Sequence, residues 1–279
     1  MKPYSLFLVV TPEFVPGALV TLSSFLKHHP EEQRDVYLLH RDLGEFEKKC
    51  FETLPFRFHY LEHDQEIVER VAQLPIIPAR RNRLLVLQAF QLQTEGPLLV
   101  MDADLLIQGS VDPLMELPGH LVGAGESLHL RGGWREDKTL TPGEGPPPPK
   151  ALTETINTGV FRLDHQLRTK EHYRHLLDRL EPNWWSALGT DLTDQALLNC
   201  HFREHISVAP AGFNFVLQFQ DIFSQSSGCT PEDCPVLHFA GSKKPWHPHH
   251  ATSSSGDFVA ATERWTREWL EVLAKISSL

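Results

Sequence analysis

Two carboxylates one residue apart follow an apolar run, in Met101-Asp102-Ala103-Asp104. On an extended chain side chains at i and i+2 point the same way, so both carboxylates reach one cation from one side. Hard oxygen ligands suit Mg²⁺ or Mn²⁺, ions that commonly bridge phosphate oxygens. Further on, Val236-Leu237-His238-Phe239-Ala240 carries an imidazole on an apolar strand that runs into Gly241-Ser242-Lys243-Lys244-Pro245-Trp246. Glycine permits close backbone approach and lysine supplies point charge for a diphosphate. An imidazole beside two carboxylates tilts such a site towards Mn²⁺. Thr155-Ile156-Asn157-Thr158-Gly159-Val160-Phe161 reads as a strand whose polar start faces a ligand. Asp194-Gln195-Ala196-Leu197-Leu198-Asn199 reads as a helix with an acid and an amide near one end.

These groups need elements to hold them. Ser5–Val10 is a buried strand, and Ala18, Leu19, Leu22, Phe25 and Leu26 fall on one face of a following helix. Val36–His40 and Phe56–Leu61 are strands with a helix at Leu43–Thr53 between them, and 79–93 is a helix with arginines in its first turn. Leu98–Val100 leads into the two aspartates. Leu121–Gly125, Thr155–Leu163 and Pro235–Ala240 complete the strands, and 165–180, Asp191–His201 and Asp257–Ile276 complete the helices. The alternation implies an α/β fold with a mostly parallel central sheet and helices on both faces. In such sheets the ligand sits beyond the carboxyl ends of the strands. The Gly- and Pro-rich stretch 128–152 is a long loop, expected to close over a ligand.

Composition narrows the function. Lys and Arg number 26 against 36 Asp and Glu, a net charge of −10, which disfavours a nucleic-acid binder reliant on a basic surface. No apolar run is long enough to span a bilayer, and the first residues read as a strand instead of a signal peptide. Four widely spread cysteines fit free thiols in a reducing cytoplasm. Trp265 and Trp269 are candidates for peripheral membrane contact, but the mixed charges around them suit a core-packed helix better.

Together, Gly17-Ala18-Leu19-Val20-Thr21-Leu22-Ser23-Ser24-Phe25-Leu26, Met101-Asp102-Ala103-Asp104, Asn157-Thr158-Gly159-Val160-Phe161, Asp194-Gln195 with Leu198-Asn199, and His238-Phe239 with Gly241 and Lys244-Pro245-Trp246 resemble glycosyltransferase family 8. This is the group containing glycogenin and bacterial lipooligosaccharide galactosyltransferases, and the His-Phe-x-Gly-x-x-Lys-Pro-Trp end is its most specific part. The resemblance implies a GT-A fold, a Rossmann-like nucleotide-diphospho-sugar transferase domain over 1–279. Within it, 1–115 forms a nucleotide-binding half, 116–256 a donor-sugar and acceptor half, and 257–279 a C-terminal helix. It implies a UDP-sugar donor (UDP-glucose or UDP-galactose), Mn²⁺ or Mg²⁺, retention at the anomeric carbon, and a carbohydrate or lipid-linked glycan acceptor.

By the same resemblance, Asp102, Asp104 and His238 match metal ligands, with Ala103 between the carboxylates in the donor site. Gly241 and Lys244 match diphosphate contacts, and Arg83, or Arg80 nearby, a basic donor contact. Asn157, Asp194 and Gln195 match residues around the donor sugar, the last two as catalytic groups. Thr11 matches a position near the nucleobase, although Pro12-Glu13 follows where the family often has Asn or Asp. The competing readings are a nucleotide-sugar-binding protein without transfer and a metal-dependent nucleotide-sugar hydrolase. None of Tyr4, Tyr37, Tyr60 and Tyr173 lies between Asp194 and His238, where self-glycosylation would need one. An external acceptor docked on the aromatic stretch Gly212–Phe219 is therefore expected.

Overall fold

Leu6, Leu8 and Val10 pack on one side of the first strand, and Phe7 and Val9 on the other. The second strand divides in the same way, Val36 and Leu38 against Tyr37 and Leu39. Strands that are apolar on both faces require cover on both sides. The computed structural model, which describes residues 4–30, 33–126, 155–188, 192–247 and 256–279, shows that cover.

The strands are β1 (Ser5–Val10), β2 (Asp35–His40), β3 (Arg57–Glu62), β4 (Leu98–Met101), β5 (Leu105–Ile107), β6 (Leu121–Gly125), β7 (Ile156–Leu163), β8 (Ile206–Ala209), β9 (Phe215–Val216) and β10 (Val236–His238). Seven of them form the central sheet in the order β3-β2-β1-β4-β7-β6-β8. All of these point the same way except β7, which runs antiparallel to both β4 and β6. A second sheet of three strands has the order β5-β10-β9, with β5 antiparallel and β9 parallel to β10.

On one face of the large sheet lie the helices Gln65–Ala72, Lys170–Asp178 and Thr193–His201 and the segment Pro78–Gln91, packing Ile67, Leu84, Leu177 and Leu198 around Phe7, Phe90 and Phe161. The helix Val15–His28 covers the other face through Leu19, Leu22 and Phe25. A third apolar cluster, including Phe215, Leu237, Phe239 and Trp265, joins the small sheet to the helix Gly256–Ile276.

The expected α-helix at 79–93 is instead a run of 3-10 turns over Pro78–Gln91. Its fully buried Leu84, Leu87 and Phe90 recur every third residue, the spacing that lines up on a three-residue turn. At about 2.0 Å rise per residue such a run reaches roughly a third further than an α-helix of equal length. It carries Arg80, Arg81 and Arg83 at its start. The short strands β5, β8 and β9 have too few residues to show a period and were not expected. The loop expected at 128–152 and the Asp191 cap lie outside the described residues.

The aromatic face of the C-terminal helix belongs to the core: Trp265 is buried and Trp269 half-buried. No helix among the described residues is long and apolar enough to cross a membrane. One buried charge fixes this helix to its neighbour. Glu268 accepts a hydrogen bond from Ser23 Oγ at 2.7 Å and pairs with Lys27 at 2.6 Å. Glu268→Ala should cost about 2 kcal/mol of stability, the worth of a charged hydrogen bond left open. Glu268→Gln, which keeps an acceptor for Ser23, should cost less. Denaturant midpoints at constant m check both.

Candidate active site

The aspartate pair lies where the chain passes from one sheet to the other. β4 ends at Met101 in the large sheet and β5 begins at Leu105 in the small one. The backbone between them is pinned on three sides. Asp102 N–H donates to Gly159 O at 2.7 Å, Phe239 N–H to Asp104 O at 3.0 Å, and Leu105 N–H to Thr21 Oγ1 at 3.1 Å. Asp102 and Asp104 are thus on a bend, not on the straight strand that the i, i+2 spacing suggested. The bend gives them different surroundings. Asp104 keeps 7% of its side-chain surface and Asp102 56%.

His238 closes the group. β10 lies beside β5 with His238 opposite Leu105, which carries the imidazole to the aspartates. His238 Nε2 is 3.2 Å from Asp104 Oδ1 and 3.6 Å from Asp102 Oδ2. One ligand atom from each of the three lies within 4.8 Å of the others, so the group could hold a metal ion. The ring fits only because residue 159 is glycine: a Cβ there would lie 2.4 Å from His238 Cε1.

A chain of hydrogen bonds starting at a backbone amide sets the orientation of that imidazole. Gly159 N–H can only donate, and it does so to Asn157 Oδ1 at 2.9 Å. The same oxygen accepts from Asn214 Nδ2 at 2.7 Å. Asn214 therefore presents its Oδ1 to His238 Nδ1 at 2.8 Å, and that nitrogen must be the donor. Nε2 is left facing the two carboxylates, and in the neutral ring it carries the lone pair. Metal-binding histidines are commonly oriented by such an outer hydrogen bond. Asn214 was not among the expected site residues. An amide among Phe213, Phe215 and Phe219 is the signal that marks it, because a buried polar group needs a partner.

The charges are unevenly balanced. Burial alone would raise the Asp104 carboxyl, but Lys244 and His238 outweigh it and hold Asp104 well below the ordinary carboxylate range. Although its side chain is largely open to solvent, Asp102 is pushed up to about 6 by partial desolvation of its carboxyl and by the negative charge of Asp104. Lys244 is buried, with Nζ bonded to Asp104 Oδ2 and, at 2.7 Å, to Phe239 O. Gly241 precedes it at φ +89°, in the left-handed region that favours glycine, and turns the chain after β10 so that Lys244 points back into the site.

The remaining expected residues line the same edge of the sheet. Because β7 is reversed, its first residues, Asn157 and Thr158, lie at the edge where β1 and β4 end. Thr158 Oγ1 donates to Asp194 Oδ2 at 2.6 Å and Thr193 Oγ1 to Asp194 Oδ1 at 2.8 Å. Asp194 is buried and Gln195 half-buried in the first turn of the helix Thr193–His201. The charges of Asp194 and Arg83 both act on Asp102, and Arg83 is exposed. Thr11 follows the last residue of β1, with Oγ1 bonded to Glu13 Oε2 at 3.3 Å.

A cleft of about 580 Å³ is bordered by the residues on either side of Gly241 and does not include the three clustered groups; it is lined among others by Gln218, Phe219, Asp221, Ser242, Lys243 and Phe258. The aromatic platform expected over Gly212–Phe219 is largely unavailable to a ligand. Phe213 and Phe215 are buried in the core, and Phe219 alone of its phenylalanines reaches the cleft.

A comparison with curated protein sequences returns no match. Among solved structures, the chain is similar to galactosyltransferase LgtC in complex with donor and acceptor sugar analogs, with TM-score 0.74, 16% identity, and 96% of this chain and 95% of that chain covered. It is also similar to the glycosyltransferase GlyE of Streptococcus pneumoniae TIGR4 (TM-score 0.64, 17% identity, 99% and 63% covered). A third similar structure is mouse xyloside xylosyltransferase 1 (TM-score 0.53, 18% identity, 85% and 97% covered). These likenesses establish the GT-A fold. Residues 5–250 match the family described as Glycosyl transferase family 8. With that match over most of its length, the chain belongs to glycosyl transferase family 8 and is a glycosyltransferase.

Proposed function

We propose that the chain is a retaining, divalent-metal-dependent hexosyltransferase that moves glucose or galactose from a UDP-sugar to an external hydroxyl on a glycan. The observation that carries this reading is the hydrogen-bond chain from Gly159 to His238, which turns a nitrogen lone pair towards two carboxylates. Three electron-rich groups facing one point call for a cation between them. Asp102, Asp104 and His238 would hold Mn²⁺, or Mg²⁺, and such an ion supplies Lewis-acid stabilisation of the charge that develops on a departing diphosphate.

The protein's own groups do the rest. Lys244, bonded to Asp104, is placed to turn its ammonium to a diphosphate once a cation shares that carboxylate, and Gly241 lets the diphosphate approach the backbone. Arg83 adds positive charge at the open side, and Thr11, at the end of β1, lies towards the nucleobase. On this reading residues 1–115 bind the nucleotide and 116–256 the sugar and acceptor.

Asp194 accepts a hydroxyl hydrogen bond on each oxygen, which fixes the orientation of its carboxyl group. With Asn157 and Gln195 it would position the donor sugar and support positive charge on the ring. The acceptor hydroxyl attacks C1 from the face that the diphosphate leaves. The C1–O bond to phosphate breaks, and the departing phosphate oxygen takes the acceptor's proton. The products are UDP and a glycosylated acceptor. The cleft beside Gly241 offers the acceptor two aromatic faces, Phe219 and Phe258, and polar groups from Gln218, Asp221, Ser242 and Lys243.

Product analysis with UDP-glucose and UDP-galactose tests the reaction. UDP and an α-linked glycoside are expected, whereas UMP with sugar 1-phosphate would make the protein a hydrolase. A chelator or Asp104→Ala should abolish transfer, and Mn²⁺ should restore the chelated wild type. Asn214→Ala frees the His238 tautomer and should weaken Mn²⁺ binding by about 10–100-fold. Calorimetry on the metal alone reads that loss without turnover. Asp194→Asn should keep at least about a tenth of kcat, a barrier change of about 1.4 kcal/mol or less. A collapse by several decades would instead make Asp194 a nucleophile.

A further inference from the structure

On the sheet face away from the helix Val15–His28, four imidazoles gather in a part of the fold that the glycosyl-transfer chemistry does not use. His172 lies in the first turn of the helix Lys170–Asp178, His175 one turn further on, and His201 ends the helix Thr193–His201. His205 follows a few residues later. His172 Nδ1 and His201 Nε2 are 3.2 Å apart and hydrogen-bonded to each other. The ring centroids of His172 and His201 are 5.4 Å apart, those of His175 and His201 6.1 Å, and those of His172 and His205 6.3 Å. His172 and His201 are half-buried and rest against Phe202, while His175 and His205 are exposed.

These separations have a chemical meaning. A tetrahedral ion with bonds of about 2.0–2.1 Å to two nitrogens sets those nitrogens about 3.3–3.4 Å apart. The centroids of imidazoles sharing such an ion lie roughly 5 Å apart. The His172–His201 pair already has this spacing. His175 is three residues from His172, on the same helix face, and its exposed ring needs only side-chain rotation to join them. We propose that His172, His201 and His175 form a second metal site, taking a borderline transition-metal ion such as Zn²⁺ and leaving its fourth position to water.

The surroundings favour ligands that are free of protons. Burial, together with the neighbouring imidazoles and Arg179, lowers His201 to about 4, and burial with His205 beside it lowers His172. Both rings are therefore neutral at pH 7, and the proton between them need only pass to the other nitrogen of its ring for both to offer lone pairs. An all-nitrogen donor set also separates this site from the carboxylate-rich one, since imidazole suits Zn²⁺, Ni²⁺ and Cu²⁺ better than Mn²⁺ or Mg²⁺. An ion here would join the end of the helix Thr193–His201 to the helix Lys170–Asp178. The first turn of the helix Thr193–His201 carries Asp194 and Gln195, so the ion would brace the element that, on the proposed function, presents the sugar-facing pair.

The test is zinc binding by the whole, metal-free chain in an Asp104→Ala background, which disables the carboxylate site. Zn²⁺ per chain is counted by competition with a chromogenic chelator, and the visible spectrum of the Co²⁺-substituted protein reports geometry. The expected result is one Zn²⁺ per chain, a tetrahedral Co²⁺ spectrum and a higher unfolding temperature with Zn²⁺. His172→Asn and His201→Asn should each lower zinc affinity by about ten-fold or more. His175→Ala, at an exposed position that folding does not depend on, should weaken binding by a smaller factor and change the Co²⁺ spectrum. Absence of zinc binding in the Asp104→Ala protein would overturn the proposal. So would binding that is unchanged in His175→Ala, or in the His172→Asn and His201→Asn variants, since the ion would then lie on other histidines.

Discussion

Two carboxylates and an imidazole lone pair directed at one point repel one another, and the fold holds them there. That electrostatic tension organises much of the structure around it. Lys244 is buried against Asp104 and relieves part of it within the chain. The difference between the aspartates follows from the same crowding, with Asp104 held ionised chiefly by Lys244 and Asp102 pushed up beside it. On the proposed reading, a cation recruited with the substrate would relieve the rest and so would couple donor binding to completion of the site.

Holding such a group needs rigid surroundings, and two sheets supply them. The large sheet fixes Asp102 through Gly159 on β7, and the small sheet fixes His238 through its pairing with Leu105. Asn157 and Asn214 then bridge the two sheets, since one follows the start of β7 and the other precedes β9. The reversal of β7 is what makes this bridge possible. A parallel strand in its place would bring its other end, near Leu163, to the catalytic edge and leave Asn157 at the far side.

Much of this was legible in the sequence. The strands β1 and β6 and the long C-terminal helix declare themselves by apolar runs or by helical periodicity. Asp102, Asp104, His238, Lys244 and Asp194 are named by residue type and motif, and they meet at one edge of the sheet. What escaped is what depends on distant partners. β5 and β9 have three and two residues and exist only because they flank β10. Asn214 has no motif of its own, and its role is defined by what stands on either side of it in space. The 3-10 winding of Pro78–Gln91 is a tertiary choice, because its leucines would also satisfy part of an α-helical face. The phenylalanines around Asn214 looked like a sugar platform, but two of them are needed to build the core beneath the site.

The hydrogen bond from Glu126 N–H to Thr155 O, 3.1 Å long, closes the gap between β6 and β7 at the catalytic rim. Both residues are buried, so the two ends of the intervening segment are anchored independently of its length. The entropy of closing a loop grows only logarithmically, by about 0.6 kcal/mol for each doubling of length. Insertions and deletions between these two residues therefore leave the sheet register and the Asp102–Asp104–His238 group untouched. The fold thus separates the packed groups at the end of β4 from a point at which the length of the chain is free to vary.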